Sequence, residues 1–335
     1  LVNDCKLYTL RIASYALPAM GIAQEEKLFE CLAQTPKTIE MVAEQLHLTL
    51  RATEAIMIVA SALGFLKKYS KHHYTLTETA HTYLLPSSPF YYDRLIEPNY
   101  RIMKTLRSVI RKPVEGPNKK HHIHDFTDEQ LNRFIHQMDI ITAPAAVALS
   151  NQPVFKSMHT LLDVAGGSGS LCIALAKRHP KLRSIIIDLK RVSKITRQNI
   201  KRNKLTDRIT VQAKDIFTDS WPVDYDGVLL GNVFHDWDLK VCHYLAKQAF
   251  KTLKPGGTIC LHEMLLNASK TGPYATACFS VSMLIHEQGK QYTAQELRVL
   301  LEQVGFINFQ TIPTFGYYSL TTAKKPLTEL PTSKK

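Results

Sequence analysis

The sequence predicts an α/β protein in which an open, Rossmann-like parallel sheet follows an all-α, winged-helix amino-terminal part. Three observations carry that expectation. Residues 161–169 read LeuLeuAspValAlaGlyGlySerGly, a buried strand running into a glycine turn. Apolar runs then recur after it, several of them delivering an acid at the carboxyl end. Ahead of them, a short helix over 38–46 and a second over 51–63 precede two strand-like segments, PheLeuLysLysTyr and HisTyrThrLeuThr, that form a wing.

At Gly166, Gly167 and Gly169 the backbone can turn tightly and approach a ligand with no Cβ in the way. Residues 170–179 read as the helix beyond, whose amino-terminal N–H groups and positive dipole end face the turn. A dinucleotide fingerprint counted from Gly167 needs a glycine where this chain has Cys172. A phosphate loop needs Gly-Lys-Ser/Thr, and Gly169 is followed by Ser170 and Leu171. Asp163, an acid just ahead of the glycines, suits a ligand with an ammonium group better than a pyrophosphate. S-adenosylmethionine is such a ligand.

The downstream strands fit it. A strand over 184–187 ends in Asp188, about 20 residues past the turn, where an acid accepts from ribose hydroxyls. A third around 208–213 leads to Asp215, Ile216 and Phe217, an acid for an adenine amino group beside an apolar wall. A fourth, 228–230, runs into AsnValPheHisAspTrp at 232–237, and a fifth follows LysProGlyGly at 254–257 and ends at Glu263. A helix over 294–304, Gly305 and strands near 306–312 and 316–323 close the domain. A lone acid at a strand end is commonly a helix cap. Several at successive strand ends point to ligand binding, because open α/β sheets bind at the carboxyl ends of their strands.

With 335 residues the chain divides into a winged-helix domain (1–100), connecting helices (101–155, drawing on helices at 95–112 and 128–149 around a 113–120 loop), the α/β domain (156–323) and a tail (324–335). The net charge of +13 raises nucleic acid, anionic membranes and acidic substrates as partners. Helix 51–63, however, is mostly Ala, Ile, Met and Val with one arginine, so it packs rather than reads bases, and no nucleic-acid partner is expected. No apolar stretch reaches the ~18 residues of a bilayer span, so no membrane insertion is expected, and 7–22 reads as a helix rather than a signal peptide. Six cysteines without a CxxC pair match a reduced, cytoplasmic protein. HisHisIleHis at 121–124 lacks acids or cysteines at ligand spacing and reads as a loop, so no metal is expected.

His235 is the candidate catalyst. It follows a strand end on the same sheet edge as Asp163, Asp188 and Asp215, and a histidine there serves as a general base near neutral pH. Glu263 ends the adjacent strand, about 4.8 Å away across the sheet, and can fix the imidazole tautomer.

AspValAlaGlyGlySerGly, IleAspLeu, LysAspIlePhe, AsnValPheHisAspTrpAsp, LysProGlyGly and GlnGlyLysGlnTyrThr stand in that order. Together they resemble the class I S-adenosylmethionine-dependent O-methyltransferases of the plant caffeate and animal acetylserotonin type, over nearly the whole chain. The resemblance implies a class I methyltransferase sheet with a winged-helix domain that mediates homodimerisation. It implies that Gly166 and its neighbours line the cofactor, Asp188 holds the ribose, and Asp215 and Phe217 flank the adenine, with Trp237 at the nucleoside end. His235 then matches the family's base and Glu263 its first supporting acid, while Met138, four residues after Phe134, matches a methionine near the methyl group. Two departures stand out: the second supporting glutamate is Gln291, and a lysine common in plant members is Gly231. The implied reaction is direct methyl transfer to a hydroxyl of a small, aromatic acceptor, giving S-adenosylhomocysteine, with no metal. Phe134, Met138, Phe279 and Met283 are expected to line the acceptor pocket, with Ser282 and His286 as polar contacts. The competing readings are a winged-helix regulator or non-methylating protein that uses the cofactor-binding domain as a sensor or scaffold, and the same fold methylating nitrogen. A sensor or scaffold has no need of a base.

Overall fold

A computed structural model of the chain describes residues 2–88, 90–91, 101–112 and 122–327. The 113–120 loop, residues 95–100, His121, the side chains of His122 and His124, and the tail beyond 327 lie outside the described residues. The chain forms two compact units, Asp4–Lys119 with Leu265–Ala294, and Lys120–Met264 with Gln295–Lys335 and Leu1–Asn3. Residues 265–294, counted by sequence in the 156–323 domain, thus pack in the unit of the winged helix.

That unit begins with α1 (Cys5–Ile12) and α2 (Ala16–Glu25), with a 3₁₀ turn at Ala13–Tyr15 between them. The single helix expected over 7–22 is therefore broken. Pro18 lies in the first turn of α2, where a missing N–H costs nothing, and it cannot donate to Ser14 O in the turn before it. Next come α3 (Leu28–Leu32), α4 (Ile39–Gln45), α5 (Leu50–Ala62), the hairpin β1 (Leu66–Lys68) and β2 (Tyr74–Leu76), α6 (Glu78–Tyr83) and α7 (Arg101–Val109). Threonine caps set three of these starts: Thr38 Oγ1 accepts the Met41 N–H, Thr49 that of Ala52 and Thr77 that of Ala80. Gly64, at φ +81°, ends α5 and admits the wing.

The second unit holds α8 (Asp128–Ser150), β3 (Thr160–Val164), α9 (Ser170–Arg178), β4 (Arg183–Asp188), α10 (Lys190–Arg202), β5 (Ile209–Ala213), β6 (Tyr225–Gly231), α11 (Leu239–Thr252) and β7 (Leu253–Met264). After α12 (Tyr274–His286) in the first unit come α13 (Ala294–Val304), β8 (Ile307–Phe315) and β9 (Tyr318–Lys324). The sheet order is β5-β4-β3-β6-β7-β9-β8, parallel except where β9 pairs with β7 and β8. Chain order runs outward from β3 in one direction and then from β6 in the other, so the switch point lies at the carboxyl ends of β3 and β6. Helices cover both faces, which is why the central strands are apolar runs rather than alternating ones.

The helix read as a packing helix is α5, and its cover lies within the chain. Residues Ala52 to Ser61 are all buried, and α12, α2 and α4 pack on it. Arg51 lies across the end of α12, its Nη1 donating to Glu287 O (2.9 Å) and Gly289 O (2.8 Å) and its Nη2 to Leu284 O (3.2 Å). Glu54 accepts from Lys290 Nζ (2.6 Å) and from Lys270 Nζ. The apolar face of α5 is thus covered within the chain: Ile56, Val59 and Ala60 have no exposure.

His262 on β7 is fully buried, with Nε2 2.9 Å from Thr314 Oγ1 and its ring stacked on Tyr318 at 5.0 Å. Burial pushes its pKa down to about 3. The unfolded chain, with an ordinary histidine near 6.5, then binds more protons between those values, so stability present above pH ~6.5 is lost as pH falls. The loss approaches ~1.4 kcal/mol per pH unit inside the window. His262→Gln is expected to flatten the fall in melting temperature between pH 6.5 and 4, and an unchanged slope in thermal melts would contradict this.

Candidate active site

The glycine turn sits at the switch point. A Cβ on Gly166 would lie 2.7 Å from Asp163 Oδ2 and 2.8 Å from Ile186 Cγ2, so only glycine closes this turn over β3. Gly167, at φ +56°, has open space where a Cβ would project, leaving bare backbone for a ligand to approach. The Gly167 N–H donates to Asp188 Oδ2 at 2.8 Å and the Leu189 N–H to Asp188 Oδ1 at 2.7 Å. Two backbone donors thus aim this carboxylate while leaving it further acceptor capacity.

Asp163 lies beneath the turn, with no exposed surface. Cys172 Sγ donates to its Oδ2 at 3.3 Å, and Oδ1 has no hydrogen-bond partner among the described residues. Burial, with Asp188 adding to it against the Cys172 thiol, raises its pKa to about 7. Asp215 follows β5 and accepts the Phe217 N–H at 2.9 Å, so it turns the chain that presents Ile216 and Phe217. The Phe217 ring meets Trp237 edge-on at 4.8 Å and stacks on Tyr244 at 6.2 Å, an aromatic wall with Phe217 partly exposed. The donor set matches a nucleoside carrying a cation: an aimed carboxylate, an open glycine backbone and an aromatic wall. It offers no cluster for a phosphate, and no metal-binding group of His, Cys, Asp or Glu occurs among the described residues.

His235 and Glu263 come together as their strand register requires. Glu263 Oε2 lies 2.7 Å from His235 Nδ1, and Oε1 accepts the N–H groups of Val233 and Phe234, both at 2.9 Å. One carboxylate therefore holds both the imidazole and the 3₁₀ turn that carries it. Helix α11 is capped instead by Asp238, whose Oδ1 accepts the Val241 N–H at 2.8 Å. A residue not singled out by sequence joins the pair: Asp236 Oδ1 is 3.3 Å from His235 Nε2. Burial lowers the imidazole pKa, but the Glu263 and Asp236 carboxylates outweigh it and hold the pKa well above the ordinary value.

The remaining candidates fall on separate elements. Phe134 and Met138 are half-buried on α8, where Phe134 meets Phe126 edge-on at 5.6 Å. Phe279, Ser282, Met283 and His286 lie on α12, with Phe279 edge-on to Tyr8 at 6.3 Å and His286 exposed at the helix end. Gln291 is buried; its N–H reaches Ser280 Oγ at 3.3 Å, while its side-chain amide has no hydrogen-bond partner among the described residues. At Gly231, the space a Cβ would need is filled by Leu171 Cδ1, which accounts for the small residue at that strand end.

Residues 12–86 match the O-methyltransferase dimerisation domain family and residues 119–307 the O-methyltransferase domain family. The 3-hydroxy-5-methyl-1-naphthoate 3-O-methyltransferase of Streptomyces sahachiroi is 29% identical over 302 residues, covering 87% of this chain and 86% of that protein. Bovine acetylserotonin O-methyltransferase is 28% identical over 326 residues, covering 90% and 92%. Among solved structures, an O-methyltransferase family 2 protein from Planctomyces limnophilus in complex with apigenin superposes with a TM-score of 0.87 at 24% identity, covering 97% of this chain and 96% of that one. Human N-acetylserotonin methyltransferase in complex with S-adenosylmethionine gives 0.60 at 23%, covering 95% and 96%. With a class I methyltransferase fold, a dimerisation domain and a family match across most of its catalytic half, the chain belongs to the S-adenosylmethionine-dependent O-methyltransferases.

Proposed function

We propose that this enzyme methylates a hydroxyl of a small aromatic molecule, with His235 as general base, Glu263 as its positioning acid and Gln291 in the sequence place of a second supporting acid. The observation that carries the reading is the buried His235–Glu263 pair at a strand-end junction, since neither a sensor nor a scaffold needs an oriented imidazole. The naphthoate and acetylserotonin acceptors named for the relatives support an aromatic acceptor. Asp163, Gly166, Gly167, Gly169, Asp188, Asp215, Ile216, Phe217 and Trp237 form the cofactor side, and Phe134, Met138, Phe279, Ser282, Met283 and His286 the acceptor side.

When bound, S-adenosylmethionine supplies a methyl group on a cationic sulfur that leaves as a neutral thioether. Glu263 keeps the proton of His235 on Nδ1, so that Nε2 carries the lone pair. Nε2 takes the acceptor's O–H proton and so readies the oxygen for the methyl group that bound S-adenosylmethionine would supply, its sulfur keeping the electrons of the bond given up. Most of the acceleration comes from holding the reacting atoms in line, and the base adds a further ~10² to 10⁴. Because two carboxylates hold the imidazole pKa well above 6.5, the basic form is scarce at neutral pH in the free enzyme. The kcat/KM profile is therefore expected to rise on the alkaline side of 6.5. Asp236→Asn should move that limb towards lower pH, since a nearby anion favours the imidazolium. Mass spectrometry of a phenol panel incubated with protein and cofactor tests the activity itself. Products methylated on nitrogen alone would overturn the hydroxyl assignment.

The dimerisation domain supports a homodimer. Among the exposed apolar side chains of the amino-terminal part are Leu7 and Leu10 on α1 and Leu17 on α2, exposed by 74%, 75% and 49%. Leu10→Glu is expected to give single-chain mass in light scattering where the parent gives twice that. A parent of single-chain mass at micromolar concentration would sink the proposal. The described cysteines are all free, which supports a reducing cytoplasmic setting. No described helix is long and apolar enough to cross a membrane.

A further inference from the structure

The glycine turn is strapped from two sides. On the α10 side, Thr196 Oγ1 donates to Gly167 O at 2.6 Å and Asn199 Nδ2 to Ser168 O at 3.2 Å. On the α8 side, the Ser170 hydroxyl donates to Asp139 Oδ1, and Ser168 Oγ lies 2.6 Å from Ser170 Oγ. A carboxylate only accepts, so the Ser170 hydrogen is committed to Asp139 and the Ser168 hydroxyl must donate to Ser170. The Ser168 oxygen is then left to accept the Ser170 N–H at 3.4 Å. Three polar groups form one directed chain from a helix to the turn.

The helix at its far end matters. Asp139 directly follows Met138, and Met138 shares a helix face with Phe134 one turn earlier. The amino-terminal end of α8 is tied down separately, where Arg191 of α10 donates to Asp128 Oδ1 at 2.7 Å and Phe126 O at 2.6 Å. Asp139 therefore links the α8 segment bearing Phe134 and Met138 to the glycine turn.

We propose that Asp139, acting through Ser170, is a positioning residue that fixes the separation of the acceptor-bearing face of α8 from the glycine turn, and so the line between acceptor oxygen and transferred methyl. This rests on the reading of Phe134 and Met138 as acceptor-side residues. A displacement of about 1 Å in such a line costs about 10²-fold in rate, so a loosened link should act on kcat more than on either binding step.

The test compares Asp139→Ala, Ser170→Ala, their double variant and Asp139→Asn. It reads kcat and KM for a phenol the parent methylates, S-adenosylhomocysteine affinity by calorimetry, and amide hydrogen exchange over residues 165–171. Each alanine variant is expected to lose ~10-fold or more in kcat, with acceptor KM and product affinity within about threefold, because the α10 straps remain. The double variant should be no worse than the worse single one, since both break the same chain. Asp139→Asn, whose amide oxygen still accepts from Ser170, should stay within about threefold of the parent. Exchange over the turn should quicken in both alanine variants. The proposal fails if the two single costs multiply, if affinity falls in step with kcat (Asp139 is then a cofactor contact), or if exchange is unchanged. Failure of the functional reading has a different signature: His235→Ala leaves turnover intact while the exchange result still scores the link.

Discussion

His235→Ala is expected to lower turnover by about 10² to 10⁴-fold while leaving affinity for S-adenosylhomocysteine within about threefold. The imidazole is buried and its Nδ1 is held 2.7 Å from Glu263 Oε2, so its removal deletes a positioned proton acceptor rather than a surface charge. The proposed cofactor contacts lie on other strand ends, at Asp188 and the glycine turn. The Glu263→Gln variant should cost nearly as much, for a reason visible only in the structure. Both carboxylate oxygens already accept, Oε1 from two backbone amides and Oε2 from the imidazole. A glutamine that keeps its oxygen on the amides turns its NH₂ towards Nδ1. Nδ1 must then accept, and the proton moves to Nε2, the position the base needs empty. Steady-state kinetics with a confirmed acceptor decide both. Unchanged turnover in His235→Ala across pH 6 to 9 leaves proximity alone as the catalyst.

The Asp188→Ala change is expected to weaken S-adenosylhomocysteine binding by about 10- to 150-fold, the equivalent of ~1.5–3 kcal/mol for hydrogen bonds to a charged acceptor. Two effects act together. The ribose loses its carboxylate, and the N–H groups of Gly167 and Leu189 lose the acceptor that holds them. The turn then has to be ordered by the ligand, which adds a conformational cost to binding. Calorimetry that finds the parental affinity, or tighter binding of NAD than of S-adenosylmethionine by the parent, contradicts the cofactor assignment for this residue.

The parallel strands were legible because both faces of the sheet are covered, so central strands are short apolar runs with an acid at or near the carboxyl end, as at Asp163, Asp188 and Glu263. The His235–Glu263 pair follows from the same regularity, since adjacent strands carry their terminal residues to neighbouring places. What covers an apolar face was not legible. The pattern of Ile56, Val59 and Ala60 states that α5 is buried, but its cover is α12, more than 200 positions later. Links made by single polar atoms were equally hidden. Nothing in the spacing of Asp139 and Ser170 distinguishes them from a surface acid and an ordinary first-turn serine.

The discontinuous unit sets a timetable for synthesis. Helix α5 emerges from the ribosome early, but α12, which packs on it and whose carbonyls Arg51 caps, belongs to residues 265–294, after the 145 intervening residues of 120–264. At ~5–20 residues per second that gap lasts about 7–30 s. Throughout it, a helix whose ten residues from Ala52 to Ser61 are destined for complete enclosure is on the nascent chain without its mate. Glu54 likewise precedes both lysines that will neutralise it. Until residue 294 is made, the early part of the polypeptide lacks the element that covers α5, and a chain terminated near residue 119 lacks it permanently.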